Sequence, residues 1–485
     1  MRFAQISLVA LVIPVMAGAS FDPLQHSGPA SPYFDAPSQD GIPFDTPAGC
    51  VVDQAAYILR HGSRYPEPGS FAGWQALFAK FQNTSYTATG PLAFIPSWVP
   101  PIDDIPHEPL FLSSTGALEA FGLGVDLRKR YKFTKGGENI TIWSAAQQRV
   151  LDTSTFFARG YLSQGNYLTT PSSNRATIIS LPDSVNYTFA NSLTPSSGCP
   201  LYETGDTSAT ANTFRATYQT GIANRLNKFL HGLTLDATDI GPMQDLCGFQ
   251  AEVDGDTRFC DVFEDSEWLD YEYAHDLNYY YGSGPGNPFS ATVGFPWVKA
   301  VSDLFALGPE KTTPGGNITP PALIMGFTHD NNLPPVISAL GLWNTSRMHG
   351  VYPLSHTTPN PQRQFRASYL VAFRGYVALE RLACGAPAAP TATHVAGAAP
   401  TAGPTKSFVR VRVDRAPVAI PGCTSGPGST CPLAQFTSYI DTTRATASGD
   451  FVQRCGLQNV SNATSTATFL TVAPPDIQEF LVGLN

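Results

Sequence analysis

The segment Val51-Val52-Asp53-Gln54-Ala55-Ala56-Tyr57-Ile58-Leu59 runs directly into Arg60-His61-Gly62-Ser63-Arg64-Tyr65-Pro66. A mainly apolar run that stops at a Gly- and Pro-bearing polar cluster reads as a buried strand followed by a loop. In open α/β sheets, ligands bind just beyond the carboxyl ends of strands, so polar residues placed there are candidates for a site. Two further segments repeat the pattern. Ile140-Thr141-Ile142-Trp143 alternates like a strand and leads through Ser144-Ala145-Ala146-Gln147-Gln148 to Arg149. Beyond Arg149, the residues Val150, Ser154, Phe157 and Tyr161 share one helical face. Ala322-Leu323-Ile324-Met325-Gly326-Phe327 ends at Thr328-His329-Asp330. Three strand ends carrying Arg-His, Arg and His-Asp predict an α/β fold in which Arg60, His61, Arg64, Arg149, His329 and Asp330 converge on one pocket.

The rest of the chain sets bounds on that reading. Its 485 residues are 42% hydrophobic and 14% charged, enough for one large or two ordinary domains and too apolar for a disordered or collagen-like chain. A formal charge of −9 argues against non-specific binding to a nucleic-acid backbone. Thr115 is a candidate cap for a helix carrying Leu118, Phe121 and Val125, whose basic end (Arg128, Lys129, Arg130, Lys132) reads as a solvated C-terminus. Phe408 to Val413 alternates as a half-buried strand, and residues 385 to 405, mostly Ala, Pro, Thr and Gly, read as an exposed loop.

The N-terminus carries an address. Arg2, the apolar run Leu8 to Val15 and Ala17-Gly18-Ala19 form a secretory signal peptide over residues 1–19, with cleavage expected before Ser20. No later run of about 20 apolar residues offers a membrane span. Seven N-x-S/T sequons, at Asn83, Asn139, Asn186, Asn317, Asn344, Asn459 and Asn462, fit an extracellular glycoprotein. In that compartment the eight cysteines are expected to pair; they contain no C-x-x-C, which makes a zinc site a poor reading. Short loops can be closed by Cys423 with Cys431 and by Cys247 with Cys260, and the connectivity is otherwise open.

The chemistry follows from the residue types. A phosphomonoester dianion needs concentrated positive charge, and Arg60 and Arg64 flank His61 as planar forks for its oxygens. A neutral imidazole among arginines can attack phosphorus and form a phosphohistidine. Asp330 is suited to protonate the leaving oxygen, and the scheme calls for no metal or other cofactor. By average residue usage, R-H-G-x-R-x-P arises by chance in roughly one chain of this size in 10⁴.

On these residues the sequence resembles the histidine acid phosphatases of the phosphoglycerate-mutase-like superfamily, in the branch of secreted phytases and broad acid phosphatases. Arg60 to Pro66 matches the family's R-H-G-x-R-x-P, His329-Asp330-Asn331 its H-D-N, and Arg149 falls at its third phosphate-binding arginine. Tyr271-Glu272-Tyr273 through Tyr280-Tyr281-Gly282-Ser283-Gly284-Pro285-Gly286-Asn287-Pro288, and Pro421-Gly422-Cys423, extend the likeness from about Cys50 to Cys455.

The resemblance implies an α/β catalytic domain from residues 20–66, about 139–190 and about 291–485, with an inserted, mainly helical cap from about 67–138 and about 191–290. It implies His61 as nucleophile, Arg60, Arg64, Arg149 and His329 as phosphate ligands, and Asp330 as proton donor. The implied disulfides are Cys50–Cys384, Cys199–Cys455, Cys247–Cys260 and Cys423–Cys431. The implied partner is a small phosphomonoester, inositol phosphates included, with no nucleic acid and no membrane. Two positions depart from the pattern. Trp143 stands where many relatives have an Arg, and Asn278-Tyr279 where the phytase branch often has a Lys pair. Loss of those cations weakens capture of a polyphosphate and points to a broad acid phosphatase, with a phytase and a non-catalytic binding protein as the alternatives.

Overall fold

The computed structural model describes residues 21–83, 85–133, 139–163, 175–183, 188–202, 207–343, 351–385, 405–473 and 478–482. The signal segment, Asn186, Asn344 and nearly all of the loop expected at 385–405 lie outside the described residues. Along the chain come β1 (Cys50–Arg60), α1 (Pro68–Gln82), β2 (Thr87–Ala88), α2 (Ser114–Tyr131), β3 (Asn139–Ala145), α3 (Gln148–Leu162), β4 (Arg175–Leu181), α4 (Thr207–Leu226) and β5 (Leu230–His231). Then follow α5 (Ala237–Val253), α6 (Asp265–Gly282), α7 (Ser290–Leu307), β6 (Leu323–Thr328), α8 (Leu333–Leu340), β7 (Tyr376–Cys384), β8 (Lys406–Val413), β9 (Ala416–Val418), β10 (Cys431–Pro432) and β11 (Gln478–Val482).

The main sheet has the order β10-β8-β7-β1-β6-β3-β4-β11, with β9 paired to β8. β1, β6, β3 and β4 are mutually parallel, and the flanking strands are antiparallel to their neighbours. Parallel strands are covered on both faces, which is why β6 is buried at all six positions and shows no alternation. α3 packs on β3, β4 and β6, while α8 packs on β1 and β7. The architecture is thus a mixed α/β sheet flanked by helices. β6 enters between β1 and β3, although it follows β3 by some 180 residues of chain. Arg60 pairs with Thr328 across β1 and β6, so the next residues, His61 and His329, leave the sheet side by side.

Two larger clusters of buried apolar side chains divide the interior. One surrounds the sheet; the other joins α1 and α5 through Trp74, Trp98, Phe249 and Trp268. α6 reaches both, with Trp268 and Tyr271 in the second and Tyr273, Leu277 and Tyr280 in the first. α2, which the sequence reading grouped with the cap, contributes Leu123 and Leu127 to the sheet core.

The α2 helix also turns a different face inward from the one expected. Leu118 is 71% exposed and Phe121 37%, while Gly116, Ala120, Leu123, Gly124 and Leu127 are buried. The cause is close packing of helix on helix. A Cβ on Gly124 would lie 2.3 Å from Phe157 O, and one on Gly160 of α3 would lie 2.0 Å from Phe121 O. Glycines therefore line the seam, and the larger apolar side chains are turned away from it. The cap of α2 is Ser113, two residues ahead of Thr115, and its side chain accepts from Gly116 N at 3.1 Å. Of the basic residues at its end, Arg128 is buried and donates to Tyr161 O, and Arg130 pairs with Asp126. Only part of that run is solvated.

Four disulfides join Cys50–Cys384, Cys199–Cys455, Cys247–Cys260 and Cys423–Cys431. Among the described residues no helix is long and apolar enough to cross a membrane.

Candidate active site

The carboxyl ends of β1, β6, β3 and β4 lie along one edge of the parallel strands, and a cavity of about 260 Å³ opens there. His61, Arg64, Arg149, His329 and Asp330 line it, together with Glu67, Gln147, Asp183 and Asn331. A larger cavity of about 610 Å³ lies elsewhere, between α7 and residues 445–471, and contains none of these groups.

His61 is held on several sides. Its backbone N–H donates to Thr328 O at 3.1 Å, and Arg374 N donates to its carbonyl at 2.9 Å. The ring Nδ1 stands 2.9 Å from Gly62 O. A carbonyl only accepts, so Nδ1 carries the hydrogen and Nε2 presents a lone pair. Burial, and then the charges of Arg60, Arg64, Arg149 and His329, hold the imidazole well below the usual histidine range. The ring therefore stays neutral in acid.

The cations come from three elements. Arg60, at the end of β1, is 1% exposed. One of its nitrogens donates to Pro29 O and Val371 O, its guanidinium lies 4.4 Å from the Phe373 ring, and Nη2 stands 3.1 Å from Asp330 Oδ2. It is set behind His61 and is not part of the cavity lining. Arg64 donates to Tyr65 O at 2.9 Å and pairs with Glu67. Arg149 enters from the first turn of α3, and its Nη2 is 3.4 Å from His329 Nδ1. Burial and the neighbouring Arg64 and Arg60 lower Arg149 to about 10, which still leaves it charged. Three guanidinium groups so close together are a mutual cost unless an anion enters among them.

Asp330 closes the opposite side. Burial opposes its charge, but Arg60, Arg64 and His329 outweigh that effect, and the pKa lies below the ordinary carboxylate value. Its Oδ1 accepts from Asn331 N at 2.7 Å, and the Tyr279 hydroxyl donates to the same side chain. An anion bound to the arginines would cancel their field and let Asp330 hold a proton.

The sequence reading singled out six residues of this site, missed Glu67 and Asp183, and noted Tyr279 without its contact. Glu67 directly follows Pro66, and Glu67 and Leu110 bring the Pro-rich stretch 67–110 to the cavity rim. Asp183 follows β4 and places Oδ2 at 3.7 Å from His329 Nε2. The strand-end rule would have found it had β4 been recognised. Tyr279 was noted as a departure, but its contact with Asp330 depends on how the end of α6 packs against the turn after β6 and has no sequence signal. Trp143, the other departure, is fully buried, and its Nε1 donates to Phe469 O at 2.9 Å. It is a core residue and does not reach the cavity.

A mixed α/β sheet with an imidazole and clustered guanidinium groups at the carboxyl ends of its parallel strands defines a class of anion-handling sites. The family model of the histidine phosphatase superfamily (branch 2) matches residues 51–414, and the chain belongs to that superfamily. An acid phosphatase of Komagataella pastoris is 28% identical, over 92% of this chain and 88% of its own length. A phytase of Candida albicans is 29% identical, over 90% and 87%. Among solved structures, the phytase from D. castellii shares the fold with a TM-score of 0.78 at 24% identity, covering 95% of this chain and 92% of that one.

Proposed function

We propose that this chain is a secreted acid phosphatase that hydrolyses a broad range of phosphomonoesters through a phosphohistidine intermediate. The observation that carries the reading is the setting of His61: Nδ1 is tied to Gly62 O in a cavity shared with Arg64, Arg149 and His329, and burial with the nearby cations favours the neutral ring. In the first step Nε2 attacks phosphorus, an N–P bond forms and the ester P–O bond breaks, and the Asp330 proton passes to the leaving oxygen. In the second step water attacks phosphorus, the Asp330 carboxylate takes its proton, and the N–P bond breaks to return neutral His61. Arg64, Arg149 and His329 hold the phosphoryl oxygens directly. Arg60 acts from behind through its charge and its contact with Asp330.

Secretion is supported by the signal-like N-terminus, by four disulfides and by the exposure of the five sequon asparagines among the described residues. The catalytic domain is proposed as the sheet with its packed helices, and the cap as the α1–α5 cluster with part of α6. Phytate hydrolysis is the second reading, favoured by the phytases among the relatives. Against it stands Tyr279, which occupies Asp330 and supplies no cation for further phosphates.

The test is release of inorganic phosphate at acid pH with EDTA present, from phytate and from a small alkyl phosphate. His61→Ala is expected to lower kcat on the order of 10⁴-fold or more. Asp330→Asn is expected to slow the alkyl phosphate by about 10²-fold or more, and an activated aryl phosphate much less. Equal losses on both would remove Asp330 as proton donor.

A further inference from the structure

Ser63, between His61 and Arg64, is completely buried and bonded at every polar atom. Its carbonyl accepts from Ser113 N at 2.9 Å and from Ser113 Oγ at 3.0 Å. Its N–H donates to Glu119 Oε2 at 3.0 Å. Its hydroxyl oxygen stands 2.8 Å from that same Glu119 Oε2 and 2.5 Å from Glu252 Oε2. Two carboxylates, one from α2 and one from α5, thus meet on one hydroxyl directly behind the catalytic loop.

A proton count decides what this arrangement is. The Ser63 hydroxyl has one hydrogen and can satisfy one carboxylate. If both were ionised, one buried oxygen would face a lone pair at hydrogen-bond distance, with a second negative charge beside it. The geometry therefore requires one further proton. Glu119 Oε2 is the acceptor, because it also takes the Ser63 backbone N–H. Glu252 then donates its O–H to Ser63 Oγ, and Ser63 donates to Glu119.

We propose that Glu119 and Glu252 are positioning residues that hold the His61–Arg64 loop by sharing one proton through Ser63, so that loop geometry is tied to the protonation of Glu252. Glu252 is 7% exposed, and burial followed by the charge of Glu119 pushes it up to about 7. The charged and titratable groups around it fit this assignment. Glu119 faces it from α2, and Ser63 faces it from the loop. Arg64 is directed to Phe249, Tyr65 O and Glu67. Just past the end of α5, Asp254 is engaged by Gln250 Nε2 and Asp256 N. When Glu252 ionises, the chain of donors breaks and two like charges oppose each other behind the loop.

The role rests on the proposed function for its kinetic readout alone, so the experiment has a second arm. In the full-length secreted protein, Glu252→Gln keeps a permanent N–H donor toward Ser63, and Glu252→Ala has none. The ratio of kcat/KM for Glu252→Gln over wild type is expected to rise about tenfold between pH 5 and 8. The corresponding ratio for Glu252→Ala is expected to stay low and flat. Over the same range the Tm of wild type is expected to fall relative to Glu252→Gln by about 2 °C or more. Flat Glu252→Gln ratios and a constant Tm difference would overturn the shared proton. If Glu252→Gln does not fold, Glu119→Gln replaces it. That variant removes the like charge, and its Tm is expected to lose the wild-type decline; retention of the full decline would overturn the proposal. The Tm trend without turnover in any protein would support the shared proton while removing the phosphatase reading.

Discussion

At the scale of single residues, the site is organised by which groups are kept uncharged. Burial and the neighbouring cations hold His61 well below the usual histidine range, and the same cations hold Asp330 below the ordinary carboxylate value. The two states suit opposite roles only once an anion has entered and neutralised the arginines. Tyr279 adds a donor to Asp330 and fixes its orientation. Tyr279→Phe is therefore expected to slow alkyl phosphates by about tenfold while leaving activated aryl phosphates nearly unaffected, checked by comparing kcat on the two esters. Residues in the contiguous motif Arg60 to Arg64 were legible in the sequence because their spacing is local. Glu67, Asp183 and Glu252 were not, because each acts through a contact that only the folded chain creates.

At the scale of elements, the strands were easier to read than the helix faces. β1, β3, β6 and β8 appear in the sequence as apolar or alternating runs, and their ends fall within a few residues of those runs. β11 gave no such signal. α2 shows why the helix faces misled, since its seam with α3, built from Gly124 and Gly160, departs from the usual rule of an apolar inward stripe and leaves Leu118 and Phe121 exposed. The same seam reverses a second rule. Gly→Ala inside a helix ordinarily stabilises by about 1 kcal/mol. Gly160→Ala is expected to destabilise by ~1–3 kcal/mol, because its methyl would enter the Phe121 carbonyl, and urea unfolding measures the sign. Ser113→Ala loses the α2 cap and a donor to Ser63 O, at a cost of ~1 kcal/mol or more by the same measurement.

At the scale of the whole molecule, buried titratable groups set a stability optimum on the acid side. His275 is lowered to about 3 by burial and Arg215, so its share of stability is complete above its ordinary value of 6.5 and is lost as pH falls toward 3. Glu380 is lowered to about 2, against burial, by Arg412 and Arg410; its share is complete above 4.5 and lost as pH falls toward 2. Asp245, raised to about 6 by burial, and Glu252, raised to about 7, act in the other direction and remove stability as pH climbs from about 4 to 7. Tm is expected to peak near pH 4–5 and to be lower at both pH 2.5 and pH 8, as calorimetry would read directly. The two short disulfide loops, Cys247–Cys260 and Cys423–Cys431, were legible from spacing, whereas the two distant pairs were legible only through the family resemblance. The strand order adds a constraint on synthesis. β1 touches β6 and β7, which emerge more than 250 residues later, and β4 waits for β11 at the far end. In chain order, Cys199 is made long before Cys384, the native partner of Cys50. A nascent chain oxidised in order of appearance would trap a wrong crosslink, so correct pairing would call for delayed oxidation or reshuffling of the first pair.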